Sequence, residues 1–143
     1  AVIALEPVAP RDVDQYGIVA VNDPSLDCLQ ITGAIEKPTT SEAPSNLSIA
    51  ARYVFSPAIY DALENTTTDR NGNLQLTDAI SNLIDQGANV LGVKLSPDVK
   101  RYDIGNFDSY FKTFLEFTLT DPEFGIEMQS YVRDYLGQQA EQK

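Results

Sequence analysis

Prolines partition the first part of this chain more firmly than any other feature. Pro7, Pro10, Pro24, Pro38, Pro44 and Pro57 divide it into short apolar, β-branched runs. A proline lacks the N–H that a sheet ladder needs, so each one ends a strand or confines it to an edge. Ala1–Leu5 reads as the first strand, closed into a loop by Pro7, Pro10 and Arg11-Asp12. Tyr16–Val21 is the second, stopped by Asn22-Asp23-Pro24. Residues 28–36 are the third, with Leu29, Ile31 and Ile35 apolar on one face. The polar stretch Pro38–Asn46 is a loop, and Leu47–Phe55 is a fourth strand. Ser56-Pro57 offers an N-cap and a proline at the first helical position, so a helix is expected to about Glu64.

Helices dominate the remainder. Asn71-Gly72 marks a turn, and the next helix sets Leu76, Ile80, Leu83 and Ile84 on one stripe before stopping at Gly87. Val90–Leu95 is a short strand. Asn106 is placed to cap a helix with Phe107, Tyr110, Phe111, Phe114, Leu115 and Thr118 at helical spacing. Asp121-Pro122 opens the last helix, with Phe124, Met128, Tyr131, Val132 and Tyr135 expected inward and Gly137 expected to end it. Both aromatic stripes are expected to be core. Strands first and helices mixed in later give an α/β class, a mixed sheet with flanking helices. The length fits a single α/β domain over residues 1–137 with a frayed tail at 138–143.

Charge and residue usage remove several function classes. Ten basic residues stand against 21 acidic ones, a net charge of -11. Without a cluster of Lys and Arg, neither nucleic acid nor an anionic membrane surface is an expected partner. Histidine is absent, which excludes Ser-His-Asp and Cys-His machinery and any histidine-ligated zinc. Cys28 is the lone cysteine, so no internal disulfide forms and it reads as a small apolar side chain on the third strand. Nothing demands an oxidising compartment. No apolar run approaches the roughly 18 residues of a membrane helix. Ala1–Leu5 is too short for a signal peptide. A chain that enters a strand at once, without an initiator Met, reads as a piece of a longer protein.

Three short strings can carry chemistry. In Glu36-Lys37-Pro38, adjacent strand residues point to opposite faces, so both charges can meet one ligand only where the strand ends. Pro38 supplies that ending and is expected to keep Lys37 extended. The carboxylate can accept hydrogen bonds from neighbouring hydroxyls of a sugar, and the lysine can meet a phosphate as a point charge. Tyr16-Gly17 opens a strand where glycine lets a ligand approach the backbone. Asp103, between Tyr102 and Ile104 and just before Gly105 and a helix start, suits Mg²⁺ held together with phosphate oxygens. The plainer alternatives are a solvated Glu-Lys pair beside a turn, a kink glycine and a capping aspartate. Thr67–Asp78 lies near a calcium-loop pattern, but Thr67 stands where the first Asp belongs and Asp78 where the bidentate Glu belongs. A turn between two helices is the expected reading there.

Taken in order, further strings join these: Ala43-Pro44-Ser45-Asn46-Leu47, Arg52-Tyr53-Val54-Phe55, Leu74-Gln75-Leu76-Thr77-Asp78-Ala79-Ile80, Phe114-Leu115-Glu116-Phe117 and Asp121-Pro122-Glu123. Together with Tyr16-Gly17-Ile18-Val19, Ile35-Glu36-Lys37-Pro38 and Tyr102-Asp103-Ile104-Gly105-Asn106, they resemble the C-terminal half of bacterial UTP–glucose-1-phosphate uridylyltransferases over nearly the whole chain. The resemblance implies the C-terminal portion of a Rossmann-like nucleotidyltransferase fold. It implies an enzyme that joins glucose 1-phosphate to UTP and releases pyrophosphate, with Mg²⁺. On that basis Gly17 and Glu36 hold the glucose with Tyr16 beside them, Lys37 takes the sugar phosphate as a catalytic residue, and Asp103 helps place the metal. Catalysis by positioning and charge neutralisation needs no histidine.

The resemblance also implies a cytoplasmic protein, partnered by its small-molecule substrates and by a missing N-terminal half, and able to self-associate. That half carries the family's glycine-rich loop and its base-reading residues, so this chain alone is expected to be inactive. The choice among UTP, dTTP, ATP and CTP stays open, and a non-catalytic sugar-nucleotide-binding module is the rival from another class. Two departures stand out. Asn73 occupies a position that is usually acidic in the family, and Ala51 one that is usually glycine, the latter expected to be a small packing change.

Overall fold

The computed structural model describes every residue except Arg70, Asp103, Gln142 and Lys143. Each apolar run between the prolines becomes a strand: β1 Val2–Pro7, β2 Gly17–Val21, β3 Cys28–Glu36 and β4 Leu47–Val54, with β5 Leu91–Lys94 following later. Their order is β1-β4-β2-β3-β5, and β5 returns to β1, so the sheet closes on itself. β1 and β5 run parallel, and the other pairs are antiparallel. This is the mixed sheet expected from the sequence. In place of a plain loop after β1, a 3-10 turn spans Pro10–Gln15 and buries Val13. Cys28 is the first residue of β3 and is exposed.

Helix α1 spans Ala58–Glu64, and α2 spans Leu76–Asp85. α1 starts just beyond Ser56-Pro57, and the Ser56 side chain does not cap it. α2 buries Ile80 and Leu83 of its expected stripe, half-buries Leu76 and Ile84, and also buries Ala79. They pack with Ile3, Leu5, Val19, Leu29 and Ile31 in one apolar cluster. Gly87, at φ 82, stops α2 by donating its N–H to the Ile84 carbonyl while Ala88 donates to Leu83. Only glycine takes that left-handed turn without a Cβ penalty.

The chain divides into two compact units, Ala1–Val99 and Lys100–Lys143. The second holds α3, Phe107–Thr120, and α4, Gly125–Glu141. Asn106 caps α3 as expected, accepting from the Ser109 N–H in a reciprocal capping box. The Asp121 carboxylate accepts from the N–H groups of Glu123 and Phe124 and turns the chain toward α4. α4 continues through Gly137, the expected stop, to Glu141.

The aromatic stripes are not core. Phe107 is 80% exposed and Ile126 87%, and Phe111, Phe114, Phe124, Tyr131 and Tyr135 are exposed as well. Helical spacing shows which face is apolar, but burial needs a second layer, and two helices bury only a narrow seam between them. Among the described residues, no helix is long and apolar enough to cross a membrane.

Two bulges shape the sheet. Ala20 pairs with Gly33 but Val21 with Ile31, so Thr32 is an extra residue on β3. Strict alternation had put Ile35 with Leu29 and Ile31. The extra residue flips the later part of the strand, which leaves Ile35 exposed and turns Glu36 inward. Across β1 and β4, Ile3 pairs with Tyr53 and Leu5 with Ile49, so β4 carries surplus residues around Ala51.

Ala51 has φ 52, a left-handed conformation that favours glycine. Its departure from the family's usual glycine is therefore a matter of backbone strain and not of packing. Ala51→Gly is expected to stabilise the chain by about 1 kcal/mol, once relief of strain is set against glycine's greater unfolded-state entropy. A urea midpoint that stays level or falls would contradict this account of the bulge.

Candidate functional site

The end of β3 and the start of β2 are adjacent rungs of one ladder, with Gly17 opposite Glu36. The Lys37 N–H extends the pairing by donating to the Tyr16 carbonyl at 3.0 Å. Tyr16, Gly17, Glu36 and Lys37, singled out from distant strings, are thus neighbours. Asp103 lies outside the described residues. A recess of about 380 Å³ beside Ile104, Asn106 and Tyr110 follows it in the chain.

Glu36 is held from two sides. The Thr77 hydroxyl, in the first turn of α2, donates to Glu36 Oε2 at 2.6 Å. The Lys37 ammonium lies 3.9 Å from Oε1. Thr77 is only 7% exposed, so the carboxylate is its means of satisfying a buried hydroxyl. Beneath them, a Cβ on Gly17 would come within 2.9 Å of Thr77 Oγ1 and 3.1 Å of Glu36 Oε2. Glycine is required at 17 first of all by this packing.

Lys37 is not extended. Its φ is 45, so the strand ends in a left-handed residue just before Pro38. Proline restricts the preceding residue but does not forbid this region, and the bond from Lys37 N–H to Tyr16 helps hold it there. Backbone strain of this kind collects at ligand-binding positions, where the surrounding structure over-determines it.

Glu36 and Lys37 border a pocket of about 500 Å³. Its other wall is the segment before and into α2: Asp69, Asn71, Asn73, Gln75 and Asp78. Asp69 organises that wall. Its Oδ1 accepts the N–H groups of Asn71 and Asn73 at 2.8 and 2.9 Å, and its Oδ2 accepts the Gln75 amide at 2.8 Å. These bonds, the one from Gln75 foremost, hold the Asp69 carboxyl below its usual range. Asp78 is shifted the other way, raised by burial first and then by the charges of Glu36 and Asp69. Burial, then Glu36, likewise raises Tyr53.

The pocket therefore offers fixed acceptors for hydroxyls and one ammonium for an anion. Among the described residues, no group of three or more His, Cys, Asp or Glu side chains is arranged to hold a metal ion. The calcium-like segment forms this hydrogen-bonded turn, with Asp69 as its acceptor. Sequence reasoning missed Thr77 and Asp69. Thr77 did leave a signal, because it shares a stripe with buried Ile80 and half-buried Ile84, and a hydroxyl on such a stripe needs a partner.

Comparison with known proteins shows what the chain as a whole is similar to. The nucleotidyl transferase family model matches residues 1–119. The UTP–glucose-1-phosphate uridylyltransferase of Haemophilus influenzae is 33% identical over 135 residues, which covers 92% of this chain and 45% of that protein. Its counterpart in Pseudomonas aeruginosa is 34% identical over 112 residues, 78% of this chain and 39% of that one. Among solved structures, UDP-glucose pyrophosphorylase from Acinetobacter baumannii superposes with a TM-score of 0.77 at 34% identity, covering 94% and 45% of the two chains. A UDP-glucose pyrophosphorylase complexed with UDP-glucose gives 0.74 at 28% identity, covering 81% and 43%. The chain spans under half the length of each of these relatives.

Thr77→Val keeps the shape of the side chain and removes its donor. The loss is expected to be about 1.5–3 kcal/mol, the worth of a hydrogen bond to a charged group, while Thr77→Ser retains most of it. If urea unfolding gave Thr77→Val the midpoint of the parent chain, the Thr77–Glu36 bond would carry no stability.

Proposed function

Because the chain belongs to the nucleotidyl transferase family, we propose that it is the sugar-phosphate-binding part of an enzyme that forms UDP-glucose and pyrophosphate from UTP and glucose 1-phosphate. The observation that carries this reading is the pairing of a clamped carboxylate, Glu36, with an adjacent lysine at the mouth of one polar pocket.

In this reading, Glu36 accepts hydrogen bonds from neighbouring glucose hydroxyls, with its second oxygen oriented by Thr77. Gly17, beside Tyr16 and opposite Glu36, serves the sugar by leaving the room in which Glu36 and Thr77 meet. Lys37 neutralises the phosphate of the sugar, an oxygen of which attacks the α-phosphorus of UTP as pyrophosphate departs. Glu36 is oriented by Thr77 and the Lys37 backbone is held by Tyr16, so the chain's contribution is positioning and charge complementarity. A bound Mg²⁺ would neutralise further phosphate charge. Asp103 is the residue that the family resemblance offers as a carboxylate ligand for such an ion. The reading includes a cytoplasmic location, where nucleoside triphosphates are held.

Two measurements test the proposal. Lys37→Ala is expected to weaken glucose 1-phosphate binding to this chain at least about tenfold, ~1.4 kcal/mol, in calorimetry; equal affinity would remove Lys37 from the site. Pyrophosphate release from UTP and glucose 1-phosphate should be absent with the 143-residue chain alone. Turnover by it would overturn the assignment of a partial role.

A further inference from the structure

The pocket wall facing Glu36 includes Asn71, which with Gly72 forms the sequence's single Asn-Gly pair. We propose that Asn71 is a self-modifying site. The Gly72 backbone nitrogen closes a succinimide ring on the Asn71 side chain, and hydrolysis leaves aspartate or isoaspartate, adding a negative charge to the pocket. In the first step Gly72 N gives its proton to solvent base and bonds to Asn71 Cγ; the Cγ–Nδ2 bond breaks, and the side-chain nitrogen takes a proton from solvent and leaves as ammonia. In the second, water adds across one of the two ring C–N bonds and opens the ring.

Three features favour the reaction here. Asn71 is exposed. Gly72 brings no side chain, and a Cβ placed on it would meet nothing within 4 Å, so approach of its nitrogen is unobstructed on that side. Its φ of 81 is a conformation that other residues rarely take. One feature opposes it. The Gly72 N–H donates to the Asp69 carbonyl at 2.9 Å, in the turn that the Asp69 carboxylate also holds through Asn71 and Asn73. The nitrogen can attack only while that turn is open, so Asp69 sets the rate. Exposed turns of this kind open at low free-energy cost.

The product alters the pocket. Glu36, Asp69 and Asp78 already line it, and among its described lining residues Lys37 is the cation. These carboxylates already act on one another, since Glu36 and Asp69 help raise Asp78. A new carboxylate at 71 adds repulsion toward an anionic ligand, and isoaspartate also lengthens the backbone within the turn. The loss of affinity rests on the sugar-phosphate reading of the pocket; the modification itself does not.

The test ages the folded 143-residue chain in mildly alkaline buffer and maps it by peptide mass spectrometry. A one-dalton gain at residue 71 is expected, absent from Asn71→Gln and several-fold faster in Asp69→Ala. If Asn71 stays intact in the folded chain while a denatured sample converts, the modification is overturned. If the chain converts but Asp69→Ala is no faster, the gating role of Asp69 is overturned. Calorimetry with glucose 1-phosphate should show aged protein binding several-fold more weakly than fresh, and equal affinity would refute the charge effect. Fresh protein that binds none of it would count against the sugar-phosphate reading, while the mass shift would still decide the modification.

Discussion

The Thr77 hydroxyl and the Glu36 carboxylate meet at 2.6 Å where α2 begins and β3 ends, and the geometry of the site depends on that bond. A carboxylate facing the interior needs strong donors, and the start of a helix is a favourable place for its charge. Thr32, the extra residue on β3, is what turns Glu36 toward α2. Gly17 must then leave room, because any Cβ there would press on both partners and on Ile49. Three apparently separate features, a bulge, a glycine and a buried threonine, are consequences of placing one charged group.

Electrostatics gives meaning to a second departure from the family. The wall from Asp69 to Asp78 already contains two carboxylates facing Glu36, and Asp78 is raised by burial first and then by the charges of Glu36 and Asp69. A neutral Asn73 spares that wall a further like charge. Asp69 avoids the penalty itself by accepting three hydrogen bonds, which hold its carboxyl below the ordinary range. The wall is thus acidic in composition but locally satisfied. Lys37 sits across it in a left-handed conformation, so the backbone is strained at the edge of the pocket.

Much of the first unit was legible in the sequence. The prolines and β-branched runs located four strands, and the stripe of Ile80 and Leu83 with Gly87 beyond it located α2 and its stop. Tyr16, Gly17, Glu36 and Lys37 were named as a group and are adjacent. The bulges were not legible, because Thr32 and Ala51 carry no turn signature. The side that Glu36 faces and the strain at Ala51 therefore stayed hidden. In the second unit, the caps at Asn106 and Asp121 were readable from local chemistry. The exposure of Phe107, Phe111 and Phe114 was not, because spacing defines an apolar face without saying what lies on it.

By itself, the sequence determined where elements start and stop and which side chains carry charge, since proline, glycine and capping residues act on their own few bonds. It also determined the family, through an ordered series of strings. Only the tertiary structure decided which way those side chains point. One surplus residue in a strand reverses every side chain beyond it, and a buried hydroxyl finds its carboxylate only when a distant helix arrives. Thr77 and Glu36 are 41 positions apart. Their meeting depends on α2 packing against β3 and not on any local preference.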